Sequence, residues 1–127
     1  MDGFNKINSY RDLIAWKKSM ELVKEVYMIA SKLPDVEKYA LSDQMRRAST
    51  SIPLNIAEGF GRRSSGKETA HFLNISQGSR TETECQLLIA VNLGYVTQED
   101  IAKAMSLSEE VGKMLTVLKR KALDGDS

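Results

Sequence analysis

One cysteine, one histidine and two prolines are all that this chain of 127 residues offers of the residue types that staple, ligate or break. A lone Cys85 excludes an intrachain disulfide; it agrees with a reducing compartment and reads as an inert, semi-buried thiol. His71 has no cysteine or second histidine at ligand spacing, so it reads as a structural or solvent-facing ring, and no metal is expected. No apolar run approaches the roughly 20 residues that span a bilayer, so no membrane partner is expected. The N-terminal MDGFNKINSYRDL has neither the hydrophobic stretch of a signal peptide nor the arginine-rich character of a transit peptide, which makes a cytoplasmic protein the expectation. Net charge is scarce too: 18 Lys and Arg against 17 Asp and Glu leave +1, and bulk electrostatics do not call for nucleic acid.

What is present suits a soluble helical protein. With 42% hydrophobic and 28% charged residues, the chain has material for one core and too little length for two ordinary domains. Residues 1–63 hold 11 Lys and Arg against 8 Asp and Glu, whereas residues 64–127 hold 7 against 9, so a mild basic excess lies in the first half. Its clusters are Lys17-Lys18, Arg46-Arg47, Arg62-Arg63 with Lys67, and Lys119-Arg120-Lys121 near the end. Each alone reads as a solvated helix face or helix end.

Hydrophobic spacing predicts four helices and no strand. In the first, Leu13, Trp16, Met20, Val23, Tyr27 and Ala30 form one seam and Leu22, Val26, Ile29 and Leu33 another; Ser9 with Asp12 resembles a cap and Pro34 ends it. Two seams imply neighbours on two sides, as in a four-helix core or an oligomer. The second helix opens near Ser42 and runs to Gly61, kinked at Pro53, with Ser49, Thr50 and Ser51 able to satisfy loosened backbone groups. Its apolar stripe is Leu41, Met45, Ala48, Ile52, Ile56 and Gly59. Beside it, about 100° per residue puts Gln44, Arg47, Ser51, Asn55 and Glu58 within roughly 80° of one another, so part of this polar row is expected in the core or an interface.

The third helix starts at a Ser65/Glu68 cap and stops at Gly94. Phe72, Ile75, Ser79, Glu82, Gln86 and Ala90 share its expected inward face. The fourth follows Thr97 and Asp100 along Ile101, Met105, Ser108, Val111, Leu115 and Leu118, and the tail after Leu123 is expected to fray. Short connections make the fold class all-α, an antiparallel up-and-down four-helix bundle spanning 1–127 as a single domain, its second helix kinked at proline.

Catalytic and ligand motifs are mostly missing. Gly61 to Lys67 matches G-x-x-x-x-G-K, but Glu68 stands where Ser or Thr would hold magnesium and no strand precedes it, so a basic interhelical loop is the better reading. Glu58, Glu82 and Glu84 lack the Glu-x-x-His companions of a bundle metal site. Arg47 with Glu82 as a buried ion pair, completed by Ser51, Asn55 and Ser79, is expected instead. No catalytic residue, cofactor or small-molecule substrate is assigned.

Two blocks carry a resemblance: Gln44-x-x-Arg47-Ala48-x-x-Ser51-Ile52-Pro53-x-Asn55-Ile56-Ala57-Glu58-Gly59, then Phe72-Leu73 and Gly78-Ser79-x-x-Glu82. With LIAWKKS upstream and LLIAVNLGYV downstream, the chain over about residues 10 to 121 resembles the four-helix bundle proteins encoded in intervening sequences of bacterial large-subunit ribosomal RNA. It is more distantly similar to the accessory variability protein of diversity-generating retroelements, which associates with a reverse transcriptase and RNA. The resemblance implies a homopentamer without established enzymatic activity. It transfers Gln44, Arg47, Ser51, Asn55, Glu58, Ser79 and Glu82 as a signature only.

The expected function is therefore a non-enzymatic oligomeric interaction protein, an adaptor for RNA or ribonucleoprotein, with a purely structural or protein-binding scaffold as the alternative and an enzyme third. RNA contacts are expected among Lys17, Lys18, Arg46, Arg62, Arg63 and Lys67, above all in the Arg62-Arg63 loop. A weak basic cluster repeated around a ring gains strength by multivalency.

Overall fold

The computed structural model describes residues 7–126. Among them the chain forms α1 (Ile14–Ala30), α2 (Leu41–Gly61), α3 (Gly66–Asn92) and α4 (Gln98–Gly125), with 3-10 turns at Tyr10–Asp12 and Asp35–Glu37 and no strand. Each helix packs on two others, α1 on α2, α2 on α3, α3 on α4 and α4 on α1. Paired residues run in opposite order along the chain. Thr69 and Ser76 of α3 bond to the Gly59 and Ile52 carbonyls of α2, and Lys18, Glu25 and Lys32 of α1 meet Glu110, Lys103 and Asp100 of α4.

The core is where the stripes converge. Leu22, Val26 and Ile29 from α1, Met45, Ile52 and Ile56 from α2, Leu73 and Leu87 from α3, and Ile101, Val111 and Leu115 from α4 are all buried in one cluster. Each such side chain contributes about 1.5–3 kcal/mol on burial. The α2 stripe is buried along its whole length, and the helix passes through Pro53 without a break. The Ser49 and Thr50 hydroxyls donate to the Arg46 and Arg47 carbonyls, a turn before the carbonyl of Ser49 that the proline leaves without its usual donor.

Two expected faces are buried only in part. On α1 the second seam is buried throughout, whereas of the first Leu13 and Ala30 join the core and Trp16 packs against it, but Met20 and Tyr27 remain 44% and 43% exposed. On α3 Ser79, Gln86 and Ala90 of the expected face are buried together with Thr69, Leu73, Ser76, Thr83 and Leu87, while Ile75 and Glu82 are exposed and Phe72 is half-buried. The physical reason is that Thr69, Ser76 and Thr83 are polar in sequence but satisfied in place. Their hydroxyls donate to the carbonyls of Gly59, Ile52 and Ser79 at 3.0, 2.8 and 2.8 Å, so they bury at little cost and admit close helix approach.

Capping decides the ends. Thr97 and Asp100 form a reciprocal box at α4, with bonds of 3.0 and 2.9 Å. These bonds to Thr97, with Lys32 adding attraction, hold the Asp100 carboxyl below its usual range. Ser65 Oγ accepts from Glu68 N at 3.2 Å to open α3, and Gly94, at φ +78°, closes its far end in a conformation that favours glycine. Ser9 caps the 3-10 turn before α1. Ser42 is no cap: it is buried and donates to Ala30 O, while Glu37 Oε1 takes the Leu41 amide and Oε2 takes the Tyr95 hydroxyl at 2.8 Å. That bond, helped by partial desolvation, raises the Tyr95 phenol above its ordinary pKa.

The last turn does not fray after Leu123. α4 continues to Gly125, and the Asp126 carboxylate accepts from the Gly66 and Lys67 amides at 2.8 Å each, capping the start of α3. Gly66 permits this approach, since a Cβ there would lie 1.9 Å from Ala122 O.

Candidate functional site

The polar row of α2 comes to the surface beside α3. The Arg47 side chain is 78% exposed and its Nε lies 2.8 Å from Asp43 Oδ2, one turn back, a bond that raises the guanidinium pKa still further. Glu82 is exposed and meets no cation among the described residues. The expected buried Arg47–Glu82 pair is therefore not formed. A solvated arginine with an aspartate at i−4 gains nothing by desolvating to reach a second carboxylate.

Three members of the expected network do meet. Ser51 Oγ accepts from Ser79 Oγ at 2.8 Å and from Asn55 Nδ2 at 3.0 Å, and the same amide donates to Ser51 O. This node joins α2 to α3 at the floor of a shallow depression of about 210 Å³, lined by Gln44, Arg47, Ala48, Ser51, Ser79 and Glu82. Glu58 stands at the far end of the row and is bound to Arg62 at 2.9 Å. Gln86, one turn beyond Glu82, is buried and its Oε1 has no hydrogen-bond partner among the described residues.

The basic candidates are spread out and several are engaged. Arg62 bridges Glu58 and Glu68 at 2.9 and 3.2 Å and lies over the Phe72 ring, and these bonds raise its pKa. Arg63 donates to Phe60 O and stacks 4.2 Å over the Phe60 ring. Arg62 is thus neutralised within the loop, whereas Arg63 is exposed and meets no carboxylate among the described residues. Lys18 approaches Glu110 at 3.9 Å, and Arg46 donates to the Lys38 carbonyl at 3.4 Å without meeting a carboxylate. Lys17 and Lys67 are exposed and in no ion pair among the described residues. No group of three metal-ligating side chains occurs among the described residues. Cys85 is exposed where a semi-buried thiol was expected.

The closed ion-pair network lies elsewhere. On the α3–α4 seam Arg80 pairs with Glu84 at 2.5 Å, their side chains 19% and 25% exposed, and Glu84 also accepts from Ser108 at 2.5 Å. Gln77 Oε1 takes Arg80 Nε at 2.8 Å while its amide donates to Gly112 O. Gly112 makes the space, for a Cβ there would stand 2.7 Å from the guanidinium. The signal in the sequence was the i,i+4 pair Arg80/Glu84 facing a helix with a glycine in its buried row.

No helix among the described residues is long and apolar enough to cross a membrane. A family model described as 23S rRNA-intervening sequence protein matches residues 11–117. Among solved structures, a protein with unknown function from the S23 ribosomal protein family of Bacteroides thetaiotaomicron VPI-5482 is 28% identical, with 84% of this chain and 99% of that one covered at a TM-score of 0.74. Curated proteins give no significant match. The four helices, the matched span and the near-complete coverage of a solved relative agree, and the chain belongs to the 23S rRNA-intervening sequence protein family.

Proposed function

We propose that the protein is a non-enzymatic, cytoplasmic interaction protein that works as a homo-oligomer, a homopentamer, and serves as an adaptor for RNA or ribonucleoprotein. The observation that carries the oligomer is apolar surface left over once the core is full. Met20, Tyr27, Ile75 and Ile89 stay 38–44% exposed although they recur at helical spacing. The RNA reading draws on the family, described by its ribosomal RNA intervening sequence, and on the cations Lys17, Arg46 and Lys67, which face solvent without a carboxylate partner.

The scaffold reading has its own support in Arg62, whose charge is already met by Glu58 and Glu68 within the chain. Two measurements test these readings. Light scattering coupled to gel filtration is expected to give about five times the 14.2 kDa chain, and a monomer overturns the oligomer. Titration with structured RNA over a series of salt concentrations is expected to show binding that weakens steeply as salt rises; silence at low salt leaves the scaffold.

A further inference from the structure

The connector between α1 and α2 carries the two most exposed large apolar side chains among the described residues, Val36 at 81% and Tyr39 at 86%. It is an ordered turn. The Glu37, Lys38 and Ala40 amides donate to the carbonyls of Pro34, Asp35 and Glu37 at 2.9–3.0 Å, and the Glu37 carboxylate takes the Leu41 amide and the Tyr95 hydroxyl. A fixed piece of backbone thus holds a tyrosine ring and a valine in water, where neither adds to the core.

Two cations stand beside that ring. Lys38 Nζ lies over it, 5.4 Å from the centroid, and Arg46 donates to the Lys38 carbonyl; neither is in an ion pair among the described residues. Both line a depression of about 120 Å³ together with Ser31, Asp35 and Ser42. Asp35 offsets one of the two charges, so the depression keeps one positive charge. Resting on the RNA reading, we infer that this connector holds an unpaired nucleotide of RNA, its base stacked on Tyr39 beside Val36 and its phosphate held by Lys38 and Arg46. An aromatic plane for a base next to cations for the adjoining phosphate is how single strands are gripped. Lys38 covers one face of the ring and leaves the other for the base. A duplex would offer the same cations its phosphates but not a base face, because its bases are stacked on one another. The charge favours a polyanion over an apolar protein partner. Of the cations expected from sequence, only Arg46 belongs to this site.

The full chain is titrated with fluorescent oligouridylate of about 12 nucleotides, and with an RNA duplex of the same length, over a series of salt concentrations. The wild type is expected to prefer the single strand. Tyr39→Ala is expected to weaken that binding about 5- to 100-fold with the salt slope unchanged, and Tyr39→Phe to keep it. Lys38→Gln combined with Arg46→Gln is expected to reduce the slope by about 1.4, the share of two phosphate contacts on a single strand. Tyr39 and Lys38 are exposed and Arg46 is half-buried, so circular dichroism checks the fold; if the double variant loses helical signal, Lys38→Gln alone is read for half that change in slope. Equal affinity of Tyr39→Ala and wild type, an unchanged slope, or a duplex bound as tightly as the single strand overturns the site and leaves RNA binding through other cations standing. A wild type that binds neither RNA at low salt removes the RNA reading together with the site, and leaves the exposed patch to a protein partner.

Discussion

The α3–α4 seam and the α2–α3 face each gather an arginine, a glutamate and small polar residues, yet one is closed and the other open. On the seam Arg80 spends its donors on Gln77, Glu84 and Ser108, and Gly112 supplies the hollow that lets the guanidinium lie between helices. On the α2–α3 face Ser51, Asn55 and Ser79 close a small node, while Arg47 turns back to Asp43 and Glu82 stays free. A buried ion pair needs a cavity built for it as well as two charges of opposite sign. The first region therefore serves the fold, and the second is left with bonding capacity for something outside the chain.

The contrast breaks most readily at Arg80. Arg80→Ala leaves Glu84 half-buried without its cation and is expected to lower stability by about 1–3 kcal/mol, read as the midpoint of urea unfolding. An unchanged midpoint would make the seam ordinary surface.

Gly112 sharpens the comparison through its dependence on Arg80. Alanine is the better helix former by about 1 kcal/mol, so Gly112→Ala is expected to stabilise the protein by about that amount when Arg80 is already alanine. In the wild-type background its Cβ displaces the guanidinium and the gain is lost or reversed. A double-mutant cycle reads the coupling, and additive effects would separate the glycine from the arginine.

The smallest expected effect belongs to Arg47. Arg47→Ala removes a solvated pair and should leave thermal unfolding of the single chain at the level of a surface control such as Lys103→Ala. A drop as large as that of Arg80→Ala would erase the distinction between the two regions.

The bundle was legible in the sequence because its signals are local. The α2 stripe, the Thr97 box, the Ser65 cap and the Gly94 stop each follow from a spacing or a backbone preference. The full buried face of α3 was not, because Thr69, Ser76 and Thr83 count as polar until a carbonyl on α2 or one turn back is seen to receive each hydroxyl. For the same reason Phe72 and Ile75 drew the expected inward face one stripe too far. The candidate site was legible in membership and not in placement. Ser51, Asn55 and Ser79 meet as expected, but whether Arg47 finds Glu82 or Asp43 depends on which carboxylate shares its turn and its solvent.

The clasp between Asp126 and the first amides of α3 joins residues 60 positions apart. Those amides would be the first to open in a free helix, since no preceding turn holds them. Here their exchange requires the Asp126 carboxylate to leave them, which ties the start of α3 to the end of α4. The start of one helix and the end of another thus share a single opening event, which protects two fraying ends with one carboxylate.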